Sequence, residues 1–256
     1  MPFLHKYLGN PVLSFIGRLF FKSSIGDFHC GLRGFSKEAY QQMELKTSGM
    51  EFASEMIVKA SLKNMRIAEV PTILSPDGRT RPPHLNTWRD GWRHLRFLLL
   101  YSPQWLFYVP GLLLTLSGLV LSIFLVLGPI EIGTITFDVN TLLFTTALFL
   151  IGVQFLIFYG LTRIYTVENE LLPKPKKYDG LFTIFTLEKG LIAGALLVAF
   201  GIVLSIIAYL NWEAINFGDI TNSNTLRMVI PAVTSMVLGV QVILFSLFFS
   251  ILGLKK

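Results

Sequence analysis

The stretch DFHCGLRGFSKEAY, Asp27 to Tyr40, sets a carboxylate, an imidazole, the chain's single thiol and a guanidinium between Asp27 and Arg33, and punctuates them with Gly31 and Gly34. Residue types alone leave two readings open. Asp27 and Arg33 meet a ligand, or Asp27 is a turn-opening acid with Arg33 as its structural salt-bridge partner. One Cys allows no intrachain disulfide, and four scattered His without a second Cys offer no zinc spacing. Cys30 is therefore expected to be a small buried hydrophobe, and His29 and His84 to be structural or solvent-facing. Neither G-x-G-x-x-G nor a Walker-type phosphate loop occurs.

Two further clusters follow. SPDGRTRPPHLN is a Pro/Gly loop carrying Arg79, Arg81 and His84. In NTWRDGWRHLRFLLLYSPQW, helical spacing puts Trp88, Trp92, Leu95 and Leu99 on one edge, with Arg89, Arg93 and Arg96 on the adjacent row. That pattern predicts a helix in the headgroup plane, with Trp toward the acyl chains and Arg meeting lipid phosphate. Upstream, GMEFASEMIVKASLKNM has helical period and puts Glu51 and Glu55 four residues apart on one polar face.

These clusters belong to a chain that is 52% hydrophobic and only 15% charged. Such a balance marks an integral membrane protein. Residues 1–100 hold fourteen Lys+Arg against eight Asp+Glu, and the remainder eight against eight, so the whole formal +6 lies in the first part. No nucleic-acid partner is expected. No secretory signal peptide is expected either, because Lys6, Asn10, Pro11, Arg18 and Lys22 interrupt the N-terminal apolar run.

Four runs, 105–127, 141–162, 190–210 and 229–254, are long enough to cross a hydrocarbon core of about 30 Å, and none contains Asp, Glu, Lys or Arg. Charge-free spans argue against a pump or a carrier of charged substrates. Gly190/Gly194 and Ser235/Gly239 have the small-xxx-small spacing of close helix packing. The loop GPIEIGTITFDVN lacks Lys and Arg, whereas ENELLPKPKKYDG carries Lys174, Lys176 and Lys177. The basic-inside rule then places the head and both termini in the cytoplasm.

The head reads as mixed α/β. Ser36 is a candidate N-cap for a helix through Met43, and RIAEVPTIL is a candidate strand. The visible strands are too few for an independent sheet. The expected organisation is residues 1–86 as the C-terminal part of an α/β domain, 87–104 as an interfacial amphipathic helix, and 105–256 as an all-α transmembrane region.

In order and spacing, DFHCGLRGFSKEAY, GMEFASEMIVKA, RIAEVPTIL and DGRTRPPHLNTWRDGWRHLRFLLLYSP resemble the C-terminal half of a family 2 glycosyltransferase of the polyprenyl-phosphate type. Dolichol-phosphate mannose synthase and bacterial enzymes acting on undecaprenyl phosphate belong to that group. The resemblance covers roughly residues 1–104. It implies part of a GT-A, Rossmann-like domain whose enzyme moves a sugar from a nucleotide sugar to a polyprenyl phosphate at the cytoplasmic face of a membrane, here the bacterial inner membrane.

It further implies site residues. Asp27 and Arg33 would be catalytic, Arg79 and Arg81 would bind the acceptor phosphate, and Gly31, Glu51 and Glu55 would support the site. Trp88, Arg89, Trp92, Arg93 and Arg96 would meet the membrane. The family's donor half carries an Asp-x-Asp motif holding Mg or Mn on the nucleotide. No Asp-x-Asp occurs in these 256 residues, so this chain is expected to hold no metal itself and to meet a nucleotide sugar only if a donor half is supplied. The alternative expectation is a non-catalytic membrane module that binds polyprenyl lipid or docks to a separate glycosyltransferase chain.

Overall fold

The computed structural model describes residues 7, 9–47, 49, 51–73, 87–169, 171–174, 186–214, 216–217 and 223–253. The chain divides into two compact units. The first comprises residues 1–106 with 169–173, the second 107–168 with 174–256.

Among its described residues the first unit is built from helices. α1 (Asn10–Phe21) opens with Pro11, whose missing N–H and fixed φ suit a first turn, and stops at Lys22 in the left-handed region. α2 (Lys37–Met43) starts where Ser36 Oγ accepts the Ala39 N–H at 3.1 Å, the cap expected from the sequence. α3 spans Phe52–Leu62 and α4 spans Thr87–Leu100. Phe21, Ile25, Phe28, Ile57, Val58, Phe97 and Leu98 form one core, so α1, the turn after it, α3 and α4 meet around Phe28. Gly17 makes room for that ring, since a Cβ there would lie 2.7 Å from Phe28 Cε1. Met43, Met56 and Ala60 form a smaller core between α2 and α3.

The expected strand in RIAEVPTIL is not formed in its described part, since 65–73 lie outside any helix or strand. Val70 is 79% and Ile73 94% exposed. A strand is completed by a neighbour that accepts and donates its ladder hydrogen bonds, and no described residue of this unit offers one. Among the described residues the head is thus helical, and none of them forms a GT-A sheet. Among the described residues the sheet that is present is a hairpin in the second unit, β1 (Ile130–Ile132) and β2 (Ile135–Phe137), turning at Gly133 with φ of 63°.

α4 docks through Asp90, His94, Phe97 and Leu98, all buried, and leaves Trp88 and Trp92 exposed. The tryptophan edge expected from the sequence is therefore the outward one.

The second unit holds α5 (Val109–Leu127), continuous with a π-helical turn at Gln104–Tyr108, then α6 (Val139–Glu168), α7 (Leu187–Glu213) and α8 (Ser223–Gly253). Among the described residues, four helical stretches of 24, 30, 27 and 28 residues are long and apolar enough to cross a membrane. They outrun the apolar runs because a helix continues past its last apolar residue. α6 passes Arg163 and ends at Glu168.

α5 packs on α6 and α7 on α8. Glycines set both approaches. A Cβ on Gly118 would lie 2.5 Å from Phe149 N, and one on Gly239 2.6 Å from the Gly194 carbonyl oxygen. With lipid as apolar as the helices, such backbone contact replaces the hydrophobic effect as the cohesive term. Ser122 Oγ donates to Thr145 Oγ1 at 2.9 Å across α5 and α6.

Candidate functional site

The best-organised polar feature of the first unit is the turn between α1 and α2. Asp27 is exposed, and its Oδ1 accepts the His29 N–H at 2.8 Å, closing an Asx turn. The backbone beneath it is held from several elements. Glu69 Oε1 and Oε2 both accept the Gly26 N–H at 2.9 Å, and Oε1 accepts the Asp27 N–H at 3.2 Å. Ser14 Oγ, buried on α1, accepts the Phe28 N–H at 3.2 Å.

Arg33 lies inside the turn. Its Nε donates to the Cys30 carbonyl at 2.8 Å, Nη2 to the Phe28 carbonyl at 2.8 Å, and Nη1 to the Ala53 carbonyl at 2.5 Å. Burial holds its pKa below the usual arginine value, against the upward pull of Cys30 and Asp27. Arg33 thus ties the turn to the start of α3, and three of its five N–H groups are engaged by backbone before any phosphate arrives. Cys30 is a half-buried free thiol. At Gly31 and Gly34 a Cβ would meet nothing within 4 Å, which leaves open space beside the backbone.

Behind the turn, Ser54 Oγ lies 3.0 Å from His94 Nδ1 and 3.4 Å from His29 Nδ1, and the two imidazoles stand 4.3 Å apart. Burial, then the positive charge of His94 and Arg33, pushes the His29 pKa down to about 3. Burial also lowers that of His94, while Glu51 and Asp90 pull it upward. Both rings are accordingly neutral at physiological pH. His29 Nε2 is buried with no hydrogen-bond partner among the described residues.

Glu51 and Glu55 do not share a polar face. Glu51 is half-buried, whereas Glu55 is fully buried. The Glu55 carboxylate accepts the Lys46 N–H at 2.9 Å, the Thr47 N–H at 2.8 Å and the Thr47 hydroxyl at 2.6 Å, with Lys59 Nζ at 3.1 Å. Burial raises its pKa, but these hydrogen bonds outweigh burial and leave it below the ordinary glutamate value. Glu55 therefore anchors the segment before α3. A solvated face was expected because sequence spacing cannot show that a loop folds back over the helix.

Arg79, Arg81 and His84 lie outside the described residues. Arg89, Arg93 and Arg96 are exposed on α4, as are Trp88 and Trp92. Sequence reading gave no role to Ser14, Ser54, Glu69 or His94. For Glu69 the one available signal was its place in the Glu-Val-Pro segment.

Among the described residues no group of three or more His, Cys, Asp or Glu is disposed to hold a metal ion. The described donor set does not fit the divalent cation that the resemblance implies for a complete enzyme. What the turn can do is present one exposed carboxylate on a fixed backbone, beside free space at two glycines.

Residues 160–253 match the family described as the glycosyltransferase family 2 C-terminal transmembrane region. Over 257 aligned residues, which cover 99% of this chain and 60% of the relative, the chain is 32% identical to the low-salt glycan biosynthesis hexosyltransferase Agl6 of Haloferax volcanii. It is 33% identical over 66 residues, 25% of this chain and 11% of the relative, to the glycosyltransferase AglD of the same organism. The chain thus spans 60% of the length of the hexosyltransferase it matches. No solved structure matches it. By its membrane region and by its identity to that hexosyltransferase, the chain is similar to the C-terminal membrane part of family 2 glycosyltransferases.

Proposed function

We propose that these residues form the acceptor side and membrane anchor of an enzyme that transfers a sugar from a nucleotide sugar to a polyprenyl phosphate at the cytoplasmic face. The observation that carries the reading is the exposed Asp27 carboxylate on a turn pinned by Glu69, Ser14 and Arg33, in a chain that also holds four apolar spans.

In the proposed step, an oxygen of the lipid phosphate attacks the anomeric carbon. A carbon–oxygen bond to the lipid forms as the bond to the nucleotide diphosphate breaks. A phosphate oxygen is already a competent nucleophile, so positioning and charge neutralisation carry most of the barrier reduction. Asp27 orders the sugar or acceptor, Arg79 and Arg81 neutralise the acceptor phosphate, and Arg33 acts through the backbone it binds. Trp88, Trp92 and the Arg89/Arg93/Arg96 row of α4 meet the headgroup layer.

The donor nucleotide, with its Mg or Mn, is assigned to a donor-binding half with an Asp-x-Asp motif, which these residues do not contain. The exposed Val70 and Ile73, in a segment with β-rich sequence and no ladder, support docking of that half here.

The test is sugar transfer to a polyprenyl phosphate in bilayers, with this chain alone and with a donor-binding segment joined upstream. The isolated chain is expected to be inactive and the joined protein active. Turnover by the 256-residue chain alone would refute the assignment of the donor site.

A further inference from the structure

The peptide that carries Asp27 is gripped by a residue from a distant, exposed segment. Glu69 lies more than forty residues from the turn, yet both of its carboxylate oxygens reach the Gly26 N–H and one also reaches the Asp27 N–H. Two successive amides converging on one carboxylate form a small anion cradle, and here the anion is part of the protein. The carboxylate lies directly against Gly26, where a Cβ would stand 3.4 and 3.5 Å from the two Glu69 oxygens, in ordinary van der Waals contact. On the other side of the same peptide, Arg18 Nη1 donates to the Gly26 carbonyl at 3.4 Å.

We propose that Glu69 is the positioning residue of the candidate site, fixing the direction in which Asp27 presents its carboxylate without touching substrate. The inference rests on the reading of Asp27 as the acid of the transfer site. With the Gly26 and Asp27 amides held by Glu69, and the His29 amide held by Asp27 Oδ1, the backbone on both sides of Asp27 is fixed and its side chain is left one oxygen for a ligand. Glu69 is not itself a base, because both of its oxygens are occupied by backbone donors. A charged acceptor suits the task better than an amide. A carboxylate receives N–H groups on both oxygens, whereas glutamine places an NH2 where one of them stood.

The test begins on the full chain, with hydrogen exchange at the Gly26 and Asp27 amides. Wild type is expected to protect both, Glu69→Gln to lose most of that protection, and Glu69→Asp, which keeps the charge on a shorter arm, to fall between. The same variants are then assayed for transfer in the protein joined to its donor segment, beside Asp27→Asn. Loss of one charge-assisted hold corresponds to about a 10- to 100-fold drop in kcat for Glu69→Gln. KM for the polyprenyl phosphate and the thermal midpoint should stay near wild type, with partial recovery in Glu69→Asp.

Unchanged amide protection in Glu69→Gln overturns the proposal. So does full transfer by Glu69→Gln when Asp27→Asn is inactive, and so does a fall of kcat together with a raised KM and a lowered thermal midpoint, which is the mark of a purely structural role. Full transfer by Asp27→Asn would instead sink the reading of Asp27. The loss of protection in Glu69→Gln would then stand only as a structural hold, and the positioning role would be rejected with that reading.

Discussion

His29 and His94 carry the clearest pH signature in the head. Burial, with the charges of His94 and Arg33 behind it, keeps His29 neutral down to about pH 3, and burial keeps His94 from charging at its ordinary pH despite Glu51 and Asp90 nearby. In the unfolded chain each imidazole takes up a proton below about 6.5. The unfolded state therefore binds more protons between 6.5 and 3, so this contribution is intact above 6.5 and stability falls as the pH is lowered through that window. The slope is about 1.4 kcal/mol per pH unit for each imidazole still neutral in the folded head. Urea midpoints of the head, followed by tryptophan fluorescence at pH 7, 6 and 5, are expected to decrease with acidification. His29→Gln should decrease less. An equal decrease in the variant would show that His29 charges freely in the folded head.

The same turn marks how far residue types carry. Asp27 and Arg33 stood out from the sequence because opposite charges and glycines cluster there. Several contacts that hold the turn and its surroundings did not, because they cross a long stretch of chain. Glu69 reaches Gly26, Ser54 reaches His94, and Arg33 reaches Ala53. A guanidinium beside an acid reads as a ligand group or as a structural salt-bridge partner, and spacing could not show that Arg33 donates to three backbone carbonyls. The buried Glu55 makes a related point. A helical period assigned it to a polar face, but the fold covers that face with Lys46 and Thr47 and satisfies the carboxylate there.

Among the elements, the four long apolar helices were legible because twenty apolar residues have few other fates, although their ends were not, α6 running on to Glu168. RIAEVPTIL was misread for a reason of the same generality, since a helix satisfies its own backbone and a strand depends on another. The glycine spacing on α7 and α8 was read as close packing, and the geometry makes it testable. A Cβ on Gly194 would lie 2.7 Å from the Gly239 carbonyl oxygen and 2.5 Å from Ile243 Cγ1, whereas one on Gly160 would come no nearer than 3.8 Å, to the Phe245 ring. Backbone cannot yield as a flexible side chain does. Gly194→Val should therefore separate α7 from α8 at a cost of about 1–3 kcal/mol, and should lower the thermal midpoint in detergent by several degrees. Gly160→Ala should leave it nearly unchanged. Equal midpoints for the two variants would show that the α7–α8 seam is looser than this geometry.

At the scale of the whole molecule, the spans can be threaded in either direction, and loop charge decides between them. The loop between the second and third spans carries Lys174, Lys176 and Lys177, while the loop between the first and second has no Lys or Arg and instead contains Glu131 and Asp138. Lys and Arg next to spans are retained in the cytoplasm, so the former loop is expected inside and the latter outside. Within the membrane unit, Asp138 at the start of α6 pairs with Arg227 in the first turns of α8 at 2.5 Å. Helices that begin on the same side must be separated by an even number of crossings, and α6 and α8 are. The ion pair thus joins the end of the first loop to the end of the third, and places the third loop's one cation against a carboxylate where it adds no net positive charge. Reporter fusions at Gly133 and Gly218 should therefore report the external side and one at Lys176 the cytoplasm. In that orientation the basic head, which carries the whole net charge, is cytoplasmic with Asp27 in reach of a cytoplasmic nucleotide sugar. A cytoplasmic signal at Gly133 would reverse every span, put the head outside, and remove the donor supply on which the proposed transfer depends.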